Sequence, residues 1–102
     1  MTTWEIWTWD SHPAVIISHP HRVAHKPVVE VLSCSTQRGV RQPEPHEVIL
    51  DSADGLDWET LCRCDLIYAV EKDELRSRRG QVSRERQRQI IRAIIASHAW
   101  NL

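Results

Sequence analysis

The sequence predicts a mainly β domain: a small, partly open antiparallel barrel with one C-terminal helix. Three observations carry that reading. Short apolar or alternating runs recur as far as Val70, each bounded by turn residues. Beyond Ser83 the apolar spacing switches to the helical period. At 102 residues the chain supports one packed core and is too short for two, so residues 1–102 read as a single domain.

Residues 5–9, Glu-Ile-Trp-Thr-Trp, alternate and are aromatic, as a first strand should be. Its tryptophans read as core or as dimer packing, since two-fold pairing is the commonest way to bury such a surface, with base stacking the lesser alternative. Asp10-Ser11-His12-Pro13 reads as a turn, because Asp and Ser bond back to the main chain and Pro fixes φ. Residues 14–18 form a short, continuously apolar second strand. Residues 19–27 hold two prolines and three histidines and read as an exposed loop. His19, His21 and His25 are solvated in this reading, with metal binding the lesser alternative.

A third strand at residues 28–35 is β-branched at its start, and residues 36–45 are a polar loop with Arg38, Gly39 and Arg41. Residues 46–50 read as a fourth strand, and Asp51-Ser52-Ala53-Asp54-Gly55 as a turn. The next strand runs to about Val70, followed by one helical turn at residues 72–75. Residues 77–82 form a basic linker, at most a short edge strand. Ser83 is a good N-cap, and Glu85 suits the positive end of a helix dipole. Gln87, Ile90, Ile91, Ile94, Ile95 and His98 line one helical face. Arg84, Arg88 and Arg92 line a flank at i, i+4 spacing, where their repulsion slightly destabilises an isolated helix, so the row suits a partner.

The formal net charge is −1, yet the charge is polarised: residues 44–59 carry six carboxylates and no Lys or Arg, while residues 76–92 carry seven arginines and one Glu. Such a balance gives no basis for tight, sequence-blind DNA binding. There is no long apolar run and no signal-peptide pattern at Met1-Thr2-Thr3-Trp4-Glu5, so a cytoplasmic chain without membrane contact is expected. Three cysteines, two of them neighbours on one strand face, argue against a disulfide framework. Cys62-x-Cys64 is not zinc-finger spacing, so buried thiols, no metal and no cofactor are expected.

The chemistry is concentrated in Leu61-Cys62-Arg63-Cys64-Asp65-Leu66-Ile67-Tyr68-Ala69-Val70. Strand alternation puts Cys62, Cys64, Leu66 and Tyr68 on one side, and Leu61, Arg63, Asp65, Ile67 and Ala69 on the other. Arg63 and Asp65 then share a face, close enough for one substrate to touch both. On residue types alone, a plain surface ion pair is the competing explanation.

Taken in order, Glu5-Ile6-Trp7, His12-Pro13-Ala14-Val15-Ile16-Ile17-Ser18, residues 31–37, Arg63-Cys64-Asp65 and residues 76–82 resemble the small endoribonuclease toxins of the PemK and MazF type. The resemblance implies an SH3-like barrel and a metal-independent ribonuclease that cuts single-stranded RNA. An RNA 2′-hydroxyl attacks the adjacent phosphate, and a short antitoxin protein restrains the enzyme. It also implies roles: Arg63 as phosphate stabiliser or acid, Asp65 as base or orienting carboxylate, and Ser35 as the loop hydroxyl on the phosphate. Thr36 is the alternative register for that hydroxyl, and Thr36, Gln37, Arg38 and Arg41 become RNA-binding residues. The departure lies in the first loop, four residues long where the family has a Gly-rich loop ending in Arg-Pro. His12 stands in place of that arginine and can act as acid or base near neutrality. The same departure favours an alternative, a non-catalytic toxin-like binding module that acts through protein or nucleic-acid contacts.

Overall fold

In the computed structural model, which describes residues 1–36 and 42–100 (the backbone alone at Thr36), the opening hairpin is tighter than the sequence predicts. Strands β1 (Glu5–Trp9) and β2 (His12–Ile16) pair through Trp9↔His12, leaving Asp10 and Ser11 as the whole turn. Both residues take positive φ, 49° and 69°. Two such residues make a type I′ hairpin, whose twist matches that of its strands. His12 and Pro13 are therefore strand residues. At the far end, Ser18 leaves the ladder: its hydroxyl accepts the Glu30 N–H at 2.7 Å, and its carbonyl accepts the Thr3 hydroxyl at 2.6 Å.

Helix α1 (Pro20–His25) occupies the segment expected to be loop. Pro20 supplies a preset φ at the first helical position, and His19 caps the helix, its Nδ1 accepting the His21 N–H at 3.1 Å. The remaining elements are β3 (Val28–Thr36), β4 (Glu47–Leu50), β5 (Thr60–Glu71), β6 (Arg76–Gln81) and α2 (Arg84–Ser97). Every pairing is antiparallel, and the sheet order is β4-β5-β3-β2-β1-β6. The presumed basic linker is a full strand: Arg-Ser-Arg-Arg-Gly-Gln has no apolar period, and its main chain pairs with β1 regardless.

Strand β5 breaks the expected alternation. Its register runs Leu32↔Ile67 and then Cys34↔Cys62, so four residues of β5 lie opposite Ser33 alone. Extra residues of this kind bend a strand and re-aim its side chains. Cys62 and Cys64 join the core cluster of Ile6, Val15, Leu32, Leu50 and Ile90, and Ile67 packs against that same cluster. Tyr68 and Val70 belong to the opposite face. Leu66 is 45% exposed, where an unbroken alternation would have buried it beside the cysteines. All three cysteines are buried free thiols, as expected. Hydrogen bonding with Cys34 and Cys64, reinforced by burial, pushes the Cys62 thiol well up from its usual range and away from thiolate chemistry.

The sheet buries both faces. Helix α2 covers one with Ile90 and Ala93, and Ile94 packs at the side. The buried stripe is rotated from the expected one, which leaves Ile91 45% exposed. On the other face lie Ala14, Ile16, Val29, Val31, Val70 and Leu75, with Val23 of α1. Trp7, Trp9 and Tyr68 pack at its margin, with the rings of Trp9 and Tyr68 5.1 Å apart.

A polar lock ties the two ends of the sheet together. The 3₁₀ turn Ser52–Asp54 follows β4, and the fully buried carboxylate of Asp54 accepts the Ser83 N–H at 2.8 Å and the Asp51 N–H at 3.0 Å. Arg86 Nη1 donates to Asp54 at 2.9 Å and to the Ile49 carbonyl at 2.8 Å, and Nη2 reaches Asp51 at 3.2 Å. The hydrogen bond from Arg86, aided by the Ala53 N–H, holds the Asp51 carboxyl below its ordinary value of 3.8. A Cβ at position 80 would collide with the Asp54 carbonyl, so only glycine lets β6 come this close.

Arg86→Met should strand the Asp54 charge in the core and cost roughly 3–5 kcal/mol in denaturant unfolding. Because the Asp51 pKa is depressed, its contribution is present above pH 3.8 and lost below it. The parent should therefore lose more stability than Arg86→Met on acidification below that value, as followed by melts across the acid range.

Candidate functional site

The register of three strands assembles the site. Cys34 and Val48 both pair with Cys62 and point into the core, so the residues between them point out. Ser35 and Ile49 flank Leu61, and Glu47 lies opposite Arg63. Ser35, Glu47 and Arg63 consequently project from one side of the sheet, around a shallow cavity of about 320 Å³ that Glu44 and His46 complete. Glu47 is buried, and its carboxylate accepts the Glu44 N–H at 2.8 Å, which fixes the approach to β4.

His46 is brought to β5 by its own backbone, since its carbonyl accepts the Cys64 N–H at 2.9 Å. Its Nε2 stands 3.8 Å from Asp65 Oδ2, with both side chains about one-third exposed. Arg63 is exposed and makes no hydrogen bond or ion pair among the described residues, so its guanidinium donors face the cavity available to a ligand. The arrangement offers a cation, a hydroxyl, and an imidazole backed by a carboxylate, which is what a charge-accumulating proton-transfer reaction uses.

Arg63, Asp65 and Ser35, all singled out in the sequence, are thus brought to one place. His12 begins β2, exposed, and the Ala14↔Ser33 register directs it toward the same end of the sheet as Ser35. Gln37, Arg38, Arg41 and the Thr36 side chain lie outside the described residues. His46 was missed, because only the β4–β5 pairing sets it beside Asp65; a histidine opening a strand was the available signal. Among the described residues, no three His, Cys, Asp or Glu side chains are grouped to hold a metal ion. Of the loop histidines, His21 and His25 face each other with ring centroids 4.5 Å apart. No helix among the described residues is long and apolar enough to cross a membrane.

Residues 8–98 match the sequence pattern of the PemK-like, MazF-like toxins of type II toxin–antitoxin systems. The chain belongs to that family. Solved structures share its fold. An endoribonuclease from a mycobacterial species superposes with a TM-score of 0.86 at 22% identity, covering 100% of this chain and 94% of that one. A mycobacterial endoribonuclease in complex with its cognate antitoxin gives 0.81 at 21%, covering 100% and 96%. The Mycobacterium tuberculosis toxin MazF-mt6 also gives 0.81 at 21%, covering 96% and 97%. No curated protein is significantly similar in sequence. The expected family and its barrel with a C-terminal helix are both borne out.

Because Asp65 is exposed and its one ion pair is long, Asp65→Asn should shift stability by no more than about 0.5 kcal/mol, as measured by thermal melts.

Proposed function

We propose that the chain is a metal-independent endoribonuclease toxin that cuts single-stranded RNA in the cytoplasm and is restrained by a short antitoxin. One observation carries this reading: Arg63, Ser35 and His46 line one cavity, with Asp65 against His46. Family membership supports the antitoxin, as does the similar mycobacterial endoribonuclease found with its cognate antitoxin.

The reaction needs a proton removed from the 2′-hydroxyl, a cation for charge growing on the phosphate, and a proton for the departing 5′-oxygen. His46, oriented by Asp65, takes the first proton. Arg63 balances the phosphate charge and Ser35 donates a hydrogen bond to it. His12, from the same end of the sheet, delivers the last proton, while Thr36, Gln37, Arg38 and Arg41 grip the RNA. The products are a cyclic phosphate and a free 5′-hydroxyl. The margin formed by Trp7, Trp9 and Tyr68 supports assembly as a homodimer.

A second reading is favoured by the two-residue Asp10–Ser11 turn, which leaves no flap to cover RNA and no arginine at position 12. The chain would then be a toxin-like binding module that cuts nothing.

Incubation with mixed-sequence RNA separates the two: cleavage to cyclic-phosphate ends, unaffected by excess chelator, is expected. Arg63→Ala and Asp65→Asn should each lower the rate by about 10²-fold or more. With His46 as base, His46→Gln should lower the rate by about 10²-fold or more without loss of folding. His12→Ala should cost activity without loss of folding. A folded protein that leaves RNA intact would establish the binding module instead.

Sedimentation at micromolar protein should report about twice 11.9 kDa. A monomer would overturn the homodimer.

A further inference from the structure

A second cavity, of about 410 Å³, lies where the loop before β5 meets β6 and the opening hairpin; Leu56, Trp58, Thr60, Arg79 and Pro13 are among its lining residues. Trp58 is 55% exposed there, yet its main chain is held: the Thr60 hydroxyl donates to the Trp58 carbonyl at 3.3 Å, and Leu56 and Thr60 on either side are buried. A large ring on a fixed backbone is a stacking platform that costs little entropy to use.

The same cavity supplies a cation of particular kind. Arg79 Nε donates to the Thr8 hydroxyl at 2.8 Å and Nη2 to the Ser11 carbonyl at 3.3 Å. Both acceptors are uncharged, so the guanidinium is oriented without its charge being cancelled, and Nη1 is left for a ligand. Neighbouring Arg78 differs, pairing with Glu5 at 2.9 Å, as does Arg86 with its two aspartates. An aromatic face and an uncompensated, pre-aimed guanidinium lining one cavity fit a group that is flat at one end and anionic at the other. Asp57 also lines the cavity, beside Trp58, where a carboxylate suits the amino group of a base and would repel a purely anionic occupant.

We infer that this cavity is a subsite for a flanking nucleotide of single-stranded RNA, with its base stacked on Trp58 and its phosphate on Arg79. The inference rests on the proposed RNA substrate but takes no part in cleavage. Thr60 lines this cavity and Arg63 the first, three residues or about 10 Å apart along β5. The odd spacing turns their side chains to opposite sides of the strand, so one RNA chain reaches both by passing around the end of β5 that Thr60 begins. The subsite would add affinity, and preference for sequence around the cut, that the shortened first loop no longer supplies.

The test uses a 2′-O-methyl RNA oligonucleotide, which lacks the attacking hydroxyl, so binding is read by fluorescence anisotropy without cleavage. Trp58→Ala should weaken binding about 5- to 100-fold and Trp58→Phe should recover most of it. Arg79→Gln keeps an N–H donor for the hairpin and should reduce the slope of log affinity against log salt by about 0.7. Unchanged affinity in Trp58→Ala overturns the subsite and leaves the cavity to an acidic protein partner; a parent that binds no oligonucleotide overturns it too. Trp58-dependent binding by a chain that cuts no RNA would sustain the subsite while removing the catalytic reading. Cleavage with binding indifferent to Trp58 would do the reverse.

Discussion

The buried carboxylate of Asp54 is the point on which the rest of the molecule depends. Its bonds reach the N-cap of α2, the guanidinium of Arg86 and the start of its own turn, so one side chain joins the turn after β4 to the start of α2, 29 to 32 residues away in sequence. The ends of the sheet, β4 and β6, share no ladder. Closure there is done by this polar knot, and by the bare backbone of Gly80 against Asp54 and Gly55. A buried charge so fully bonded adds less to net stability than its removal would cost, because its desolvation has already been offset by those bonds. Its service is geometric. It sets where α2 lies across the core and where β5 begins, and β5 carries the candidate site.

That strand also shows how the core and the site share residues. Cys62 and Cys64 fill the interior as small, unreactive groups, and their inward direction is what turns Arg63 outward between them. The long irregularity that follows then lets Tyr68 and Val70 serve the opposite face. A regular strand of the same sequence would have committed Tyr68 and Val70 to the thiol side, leaving the second core without two of its members.

Much of this was legible in the residues. Alternation around Ile6 and the apolar runs of β2 and β3 announced strands, and Ser83 with the isoleucine spacing announced α2. The failures have physical reasons. Asp-Ser is a poor type I′ signature, so the hairpin looked longer than it is. The prolines and histidines of α1 read as loop because that helix is too short to show a period. β6 has no buried stripe because its cohesion is main-chain hydrogen bonding, which composition does not record. The site was legible to the extent that one strand carries it, in Arg63 and Asp65. His46 depends on a neighbouring strand's register, and Arg86 is recognisable only once the turn after β4 meets the start of α2.

The character of β6 bears on how copies of the chain can meet. Strands at the margin of a sheet invite further strands, and unprotected margins lead to open-ended stacking. Here one margin is a strand of four residues and the other carries Arg76, Arg78 and Arg79 within six. Like charges along that border would be forced together if two such borders aligned, so growth of the sheet from copy to copy is disfavoured. Association is thereby directed to the faces, where contact is finite and self-limiting. A protein that accumulates can in this way remain a discrete particle rather than a fibre.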